Sequence, residues 1–203
     1  MKKKLLTLLL AVFLLPAAAR AGGFPHISYG LEWGYTGTFL YSWQHNFICS
    51  EGYRIIEGND VWRYFSNGML LANLGVDIGD RVNVSVYSGF AGVYFKRRMI
   101  PVELRARYCP SGLYSNGVIC YAAAGLMYPT ATRIDTNMEF KLGAGYRVAV
   151  FRTISVDFLL SAHLTTDHDK ITDPDTKMYV PTRDITNCGA QYYALCASLA
   201  INF

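Results

Sequence analysis

The last twelve residues, YYALCASLAINF, alternate between two kinds of side chain up to the final position. One face carries apolar residues, namely Tyr193, Leu195, Ala197, Leu199, Ile201 and Phe203. The other face carries small or polar residues, namely Ala194, Cys196, Ser198, Ala200 and Asn202. Because successive side chains of a β-strand point to opposite faces, this period of two predicts a strand with one apolar face that runs to the C-terminus.

The same alternation recurs along the chain and predicts seven further strands. These lie at Ile27–Tyr41, Leu70–Ile78, Val82–Tyr94, Ile100–Tyr108, Val118–Tyr128, Met138–Arg147 and Ile154–Leu164. No apolar stripe with helical spacing competes with them. Eight strands joined in sequence order predict an all-β, antiparallel barrel. Alternation alone leaves open a soluble barrel, apolar inside, and a transmembrane barrel, apolar outside.

The connections between the strands favour the transmembrane barrel. Two are long, over residues 44–67 and 166–187, whereas the turns at residues 79–81 and 151–153 are tight. Barrels of the outer membrane have short periplasmic turns and longer external loops. We therefore expect two long external loops, with both termini in the periplasm. The first of these loops is rich in apolar residues, and we expect it to cover the barrel mouth, to extend the strands or to contact another protein.

The less apolar face of the strands carries balanced charges, which also favours a polar lumen. Four acidic and four basic residues share it, and we expect them to form ion pairs inside the barrel: Glu32, Glu103, Glu139 and Asp157 with Arg105, Arg107, Lys141 and Arg147. Side chains just fill the interior of an eight-stranded barrel. A wide pore is therefore not expected.

The N-terminus has the features of a secretory signal peptide, which we place at residues 1–21, with a mature barrel domain at 22–203. Lys2, Lys3 and Lys4 precede an apolar run, and small residues surround the predicted cleavage site. The whole chain has a net charge of +4, but four basic residues and no acidic residue lie in the predicted signal. The mature chain would thus be neutral, and this argues against nucleic acid as a partner.

The predicted signal, the eight alternating strands and the terminal phenylalanine together resemble small outer-membrane β-barrel proteins of Gram-negative bacteria, of the OmpA/OmpX-like type. The resemblance implies an outer-membrane location in contact with lipid. It also implies a C-terminal signal for the outer-membrane assembly machinery, formed here by Tyr193, Leu199, Ile201 and Phe203. It does not by itself imply an activity.

Five cysteines in an exported chain allow at most two internal disulfides. Cys49 and Cys188 flank the two predicted long loops on neighbouring strands, and Cys109 and Cys120 flank one turn. We predict these two bridges, with Cys196 as a thiol inside the lumen, although other pairings remain open.

Candidate catalytic residues are few. His163 and Thr165 are the nearest match to the His-x-Ser motif of an outer-membrane lipid A deacylase family, but His163 falls on the lumenal face, where a hydrogen bond near Asp157 is the alternative. The acidic residues at 167–175 lack the glycine and glutamate of an EF-hand loop, so no metal and no cofactor are predicted. The favoured function is a non-enzymatic structural or surface-interaction role, possible partners being other envelope or host proteins. A lipid-modifying enzyme and a narrow, porin-like channel are the alternatives.

Overall fold

Eight antiparallel strands form a closed barrel in which each strand pairs with the next and β8 pairs with β1. The computed structural model describes residues 26–95, 97–130, 137–151, 154–168 and 171–203. The predicted signal peptide lies outside these residues. The strands are β1 (Ile27–Ile48), β2 (Arg54–Ile78), β3 (Val82–Tyr94), β4 (Arg97–Tyr108), β5 (Gly117–Pro129), β6 (Asn137–Ala149), β7 (Ser155–Asp167) and β8 (Ile185–Asn202). No helix among the described residues is long and apolar enough to cross a membrane.

The apolar face of the strands points outward and the polar face points into the lumen. In β1, Leu31, Trp33 and Tyr35 are 55%, 66% and 55% exposed, whereas Glu32 is 0% exposed and Thr36 is buried. The same alternation of exposed and buried residues continues through β4, β6 and β7. This arrangement is the opposite of a soluble barrel with an apolar interior.

The C-terminus closes the barrel. The backbone N–H of Phe203 donates to the carbonyl of Tyr29 at 2.7 Å, and the N–H of Tyr29 donates to the carbonyl of Phe203 at 3.2 Å. The two rings also stack, with centroids 5.3 Å apart. Phe203 is therefore ordered by pairing with the first strand. We call this end of the barrel the tight-turn end, since it also carries the turn at Gly79, whose φ of +72° suits glycine.

The opposite end is built differently, because the first predicted long loop is mostly strand. β1 and β2 continue pairing up to Ile48 and Arg54, so that only residues 49–53 turn the chain. β8 also extends β1 up to the pair of Phe47 with Ile185. Pairing of β8 with β7 ends at Ala190. Residues 38–48 and 54–68, with residues 185–189 of β8, thus form a three-stranded sheet that continues the barrel wall, which we call the sheet extension. Of the alternatives left open for the first long segment, extension of the strands is therefore the one that the structure shows. The second long connection lies between the end of β7 at Asp167 and the start of β8 at Ile185.

Two irregularities reverse the predicted faces of two tyrosines. Pairing of β1 shifts register between Thr38 and Leu40, and pairing of β3 with β4 shifts between Gly92 and Tyr94. A bulge adds a residue on one strand and moves the following side chains to the other face. Unbroken alternation from Ile27 and from Val82 would place Tyr41 and Tyr94 on the apolar outer face, but both pack against the buried cluster inside the barrel mouth.

Candidate functional site

Charged groups fill the lumen at the tight-turn end. The guanidinium of Arg147 donates two hydrogen bonds to the carboxylate of Asp157, at 2.6 Å from Nε and 2.7 Å from Nη2. Its Nη1 donates to the carbonyl of Leu113 in the turn after β4, at 2.7 Å. This fork-shaped contact links adjacent strands β6 and β7 to the turn that closes this end.

Arg107 lies beside this pair and is held mainly by two asparagines. Its Nε and Nη2 donate to Asn83 Oδ1 at 3.0 and 2.7 Å, and its Nη1 donates to Asn202 Oδ1 at 2.7 Å. The Asn202 amide in turn donates to Asp157 at 2.9 Å, whereas Arg107 itself lies 3.7 Å from that carboxylate. The predicted partners of Arg107 were acids, and the neutral amides were missed.

Arg105 occupies the middle of the lumen. It donates to Glu32 on β1 and to Glu103 on its own strand, each at 2.6 Å. Its guanidinium carbon also lies 3.9 Å from the centroid of the Tyr87 ring and 4.3 Å from that of Tyr121. Arg105 is fully buried, so its charge is compensated by two carboxylates and two aromatic faces.

Lys141 continues this network toward β7. Its Nζ lies 2.7 Å from Glu103 and 3.0 Å from Glu139. All eight residues expected to form ion pairs lie in the lumen, and the structure brings them together across the barrel. They are Glu32, Glu103, Arg105, Arg107, Glu139, Lys141, Arg147 and Asp157.

An apolar layer closes the lumen at the other end. Its buried residues include Met69, Met99 and Met127. Above them, Tyr192 stacks on Tyr41 with ring centroids 5.1 Å apart and lies 5.2 Å from the Tyr94 ring. The barrel mouth is therefore covered by tyrosines. Two of them, Tyr41 and Tyr94, face inward because of the bulges in β1 and β3.

Little empty space remains between these layers. A cavity of about 30 Å³ lies at the tight-turn end beside Arg107 and Tyr114. Another of about 10 Å³ lies below the tyrosines, beside Glu139 and His163. One water molecule needs roughly 10–15 Å³ measured in this way. In the described part of the barrel, these two lumenal spaces have room for waters and neither is a wide pore.

The two candidate catalytic residues face the lumen and are buried. His163 Nε2 lies 2.8 Å from Ser161 Oγ, and its Nδ1 lies 3.8 Å from Glu139. The expected contact of His163 with Asp157 is wrong, because Asp157 is bound by Arg147 nearer the tight-turn end. Neither His163 nor Thr165 reaches the outer wall. Among the described residues, no three His, Cys, Asp or Glu side chains are grouped to hold a metal ion.

Neither predicted disulfide is present, and no bond joins any two of the five cysteines. Cys109 is buried in the lumen whereas Cys120 is exposed on the outer face, so their side chains lie on opposite sides of the wall. Cys188 lies opposite His45, four residues before Cys49, and such a separation is about 13 Å along a strand. That exceeds the usual Cα separation of a disulfide, about 4.4–6.8 Å. Cys196 is buried in the lumen.

The loop before β8 is fixed to the tip of the sheet extension. Asp173 accepts a hydrogen bond from the backbone N–H of Ser50 at 2.7 Å, and Tyr53 donates to Asp175 at 3.1 Å. This bond to Asp175 raises the pKa of Tyr53 to about 12. Burial acts to raise the pKa of Asp173, but backbone bonds from Ser50, Asp175 and Thr176 outweigh it and lower the pKa. Below them, an apolar cluster packs the loop on the sheet: Phe47, Cys49, Ile171 and Val180.

The side chains of β2 in the sheet extension are largely exposed. Ile56, Trp62 and Tyr64 on β2 are 64%, 73% and 67% exposed. The charged residues of this part of β2, Arg54, Glu57, Asp60 and Arg63, are exposed as well. The combination of exposed aromatic and charged side chains distinguishes this strand from the barrel below it.

No protein-family model matches this chain. No curated protein matches it either. The solved structures to which it is similar include two outer membrane proteins. The crystal structure of the outer membrane protein OprG from Pseudomonas aeruginosa is 9% identical, with a TM-score of 0.43, covering 89% of this chain and 98% of that chain. The solid-state NMR structure of the outer membrane protein AlkL in DMPC lipid bilayers is 11% identical, with a TM-score of 0.38, covering 91% and 94%. The fold itself is established by the closed ladder of strand pairs.

Proposed function

We propose that this protein is a closed β-barrel of the bacterial outer membrane that acts as a surface-interaction protein through its sheet extension. One observation carries the proposal. The same chain has an apolar outer wall, a lumen filled by ion pairs and a sheet that continues beyond the wall with exposed aromatic residues. The first two features suit a membrane anchor without a pore, and the third supplies a contact surface.

The outer wall has the chemistry and the dimensions of a membrane-spanning surface. Strands β3 to β7 contain 12 or 13 residues each, and crossing a bilayer takes roughly 9–11 tilted residues. Exposed aromatic side chains surround the tight-turn end, where an interfacial girdle is expected: Tyr29, Tyr108, Tyr146 and Phe203. Two depressions of about 450 and 760 Å³ on this wall are lined mainly by apolar side chains, suitable for lipid chains.

The asymmetry of the two ends supports an orientation. Outer-membrane barrels carry their longer segments on the external side. Here the sheet extension and the long connection between β7 and β8 lie at the same end. That end would face outward, and the tight-turn end with both termini would lie in the periplasm. The C-terminal residues Phe203, Ile201, Leu199 and Tyr193 would then be available to the assembly machinery before β8 closes on β1. The small size of the lumenal cavities favours a surface-interaction protein over a channel. The burial of His163 and Thr165 in the lumen favours a surface-interaction protein over a lipid-modifying enzyme.

Site-specific photocrosslinking in living cells tests this function. A photoreactive amino acid is placed at Ile56 or Trp62 on the sheet extension, or at Leu142, which is 69% exposed on the barrel wall, as the matched control. We expect protein adducts from Ile56 and Trp62, and lipid adducts from Leu142. Absence of protein adducts from both extension positions would overturn the proposed function.

A further inference from the structure

One edge of the sheet extension has no neighbouring strand among the described residues. β2 pairs with β3 only from Met69 to Ile78. Just above this ladder β3 still lies beside β2, because a Cβ at Gly92 would meet Asn67 and the rings of Tyr94 and Phe95 pack on Phe65. Residues 54–64 therefore have β1 as their only neighbouring strand among the described residues. The unpaired groups of such an edge can bind another strand, and natural proteins usually block them with proline, with charged side chains, above all lysine, or with a very short strand. This edge is 11 residues long and contains neither proline nor lysine, and its charged residues are of both signs: Arg54, Glu57, Asp60 and Arg63. It is therefore suited to strand addition.

We propose that this edge pairs antiparallel with the same edge of a second copy carried by a facing membrane. The inference rests on the proposed function, whose contact surface it assigns to a specific partner. Each copy would extend the other's three-stranded sheet, giving a continuous sheet of six strands between the two barrels.

Symmetry explains why the second copy must lie in a facing membrane. Two identical strands that pair antiparallel are related by a two-fold axis perpendicular to their sheet. The sheet extension continues the barrel wall, so this axis lies parallel to the membrane plane and turns one barrel upside down relative to the other. Copies in the same membrane are related by an axis along the membrane normal, and their tilted edge strands would cross.

The side chains favour one register, with the axis at Asp60. Residues at equal distances from Asp60 then face each other, and Glu57 of each copy lies opposite Arg63 of the other. Ile56 faces Tyr64, and the bare backbone of Gly58 faces the Trp62 ring. Ion pairs and aromatic pairs across strands each contribute roughly 0.2–1 kcal/mol. This register pairs residues 56–64, all on the free edge, and contains one unfavourable contact, Asp60 with Asp60.

The same register fixes the spacing of the two membranes. About nine residues separate Asp60 from Met69, where β2 enters the wall. At about 3.3 Å per residue and a tilt of roughly 40°, Asp60 would stand about 23 Å above the membrane. The two membranes would therefore be about 45 Å apart.

A charge-exchange experiment with vesicles that contain the purified protein tests this pairing. Vesicles with the unmodified protein should aggregate, as measured by light scattering, with a spacing near 45 Å in electron cryomicroscopy. Vesicles carrying Glu57→Arg alone, or Arg63→Glu alone, should aggregate at least about tenfold less because both cross-strand pairs become repulsive. Mixing the two kinds of vesicle should restore aggregation, because every pair between the variants is again of opposite charge.

Two further variants sharpen the result. Glu51 lies in the turn, outside the paired residues. Vesicles carrying Glu51→Arg should therefore aggregate as those with the unmodified protein do. Asp60→Asn removes the repulsion at the axis and should increase aggregation. If unmodified vesicles do not aggregate, or if the mixture of variants fails to recover, the pairing is overturned. Photocrosslinks from Ile56 to a different protein would then still support the proposed function.

Discussion

The barrel and the sheet extension share strands β1, β2 and β8, but their side chains are distributed differently. In the barrel, one side of the wall is apolar and the other is filled by paired charges, as with Leu31 and Glu32 on β1. In the extension, both sides of β2 are largely exposed, and Glu57, Asp60 and Arg63 stand among aromatic residues. The alternation of apolar and polar side chains is therefore strict only where a strand has apolar surroundings on its outer side and the polar lumen on its inner side. Once a strand leaves the wall, that constraint is relaxed, and equal substitutions should have unequal effects in the two regions.

The largest difference is expected for arginines. Arg105→Met leaves Glu32 and Glu103 buried without the cation they share, and removal of one member of a buried ion pair costs about 3–5 kcal/mol. Arg98→Met, on the exposed side of β4, should change the free energy of unfolding by less than about 0.5 kcal/mol. Urea unfolding in detergent measures both. Equal stability of the two variants would show that the lumenal network is not the stabilising feature.

A smaller difference is expected for aromatic residues. Tyr192→Ala removes a buried ring from the stack over the mouth and should cost about 3 kcal/mol. Trp62→Ala removes a ring that is 73% exposed and should leave stability within about 0.5 kcal/mol. The same urea experiment checks this pair. A large loss of stability with Trp62→Ala would mean that the extension packs against more than solvent.

Glycines give the third comparison. A methyl group at Gly145 would overlap the carbonyl oxygen of Phe158, so the wall must shift, at a cost of about 1–3 kcal/mol. A methyl group at Gly189 in the extension meets nothing within 4 Å. The midpoint of thermal unfolding should fall for Gly145→Ala and stay nearly unchanged for Gly189→Ala. The opposite order would contradict the described β6 and β7 pairing.

The smallest effect is local to the tip of the extension. The pKa of Asp173 is lowered from 3.8 in the folded state, so its bond to Ser50 contributes fully above pH 3.8 and is lost as the pH falls through the lower folded value. The protection factor of the Ser50 amide, the intrinsic exchange rate divided by the measured rate at the same pH, should be high near neutral pH and lower in strong acid. Asp173→Asn should already exchange faster at neutral pH. Asp184→Asn, which changes an exposed ion pair with Arg183, is the matched control.

The alternation of the sequence was sufficient to predict the barrel wall, since each strand there meets apolar surroundings outside and polar groups inside. It left extended strands as only one of the alternatives for the first long segment, because residues such as Ile55 and Ile56 follow one another where no environment forces alternation. In the alternation that starts at Ile27, Leu40 is an apolar residue at a position of the polar face, and it lies at the bulge that turns Tyr41 inward. Without the register, its consequence could not be predicted.

The lumen was predictable in composition but only partly in detail. The balance of charges on the polar face predicted the eight ionic residues. Asn83 and Asn202, which bind Arg107, are uncharged, so the same argument could not identify them. For Cys109 and Cys120, the alternation of the sequence was sufficient to exclude the predicted disulfide. Cys109 continues the inward face of Arg105 and Arg107, and Cys120 continues the outward face of Val118, so a bridge between them conflicts with the pleat.

The most direct test of the division between wall and extension uses the three tryptophans, Trp33, Trp43 and Trp62. Each is kept alone in turn, and its fluorescence is measured in vesicles with lipids brominated on the acyl chains and with aqueous iodide. We expect the brominated lipids to quench Trp33 on the wall and iodide to quench Trp62 on the extension. Trp43, which packs against the cluster under the mouth, should be quenched weakly by both. Quenching of Trp33 by iodide, with no effect of the brominated lipids, would contradict the membrane-embedded barrel.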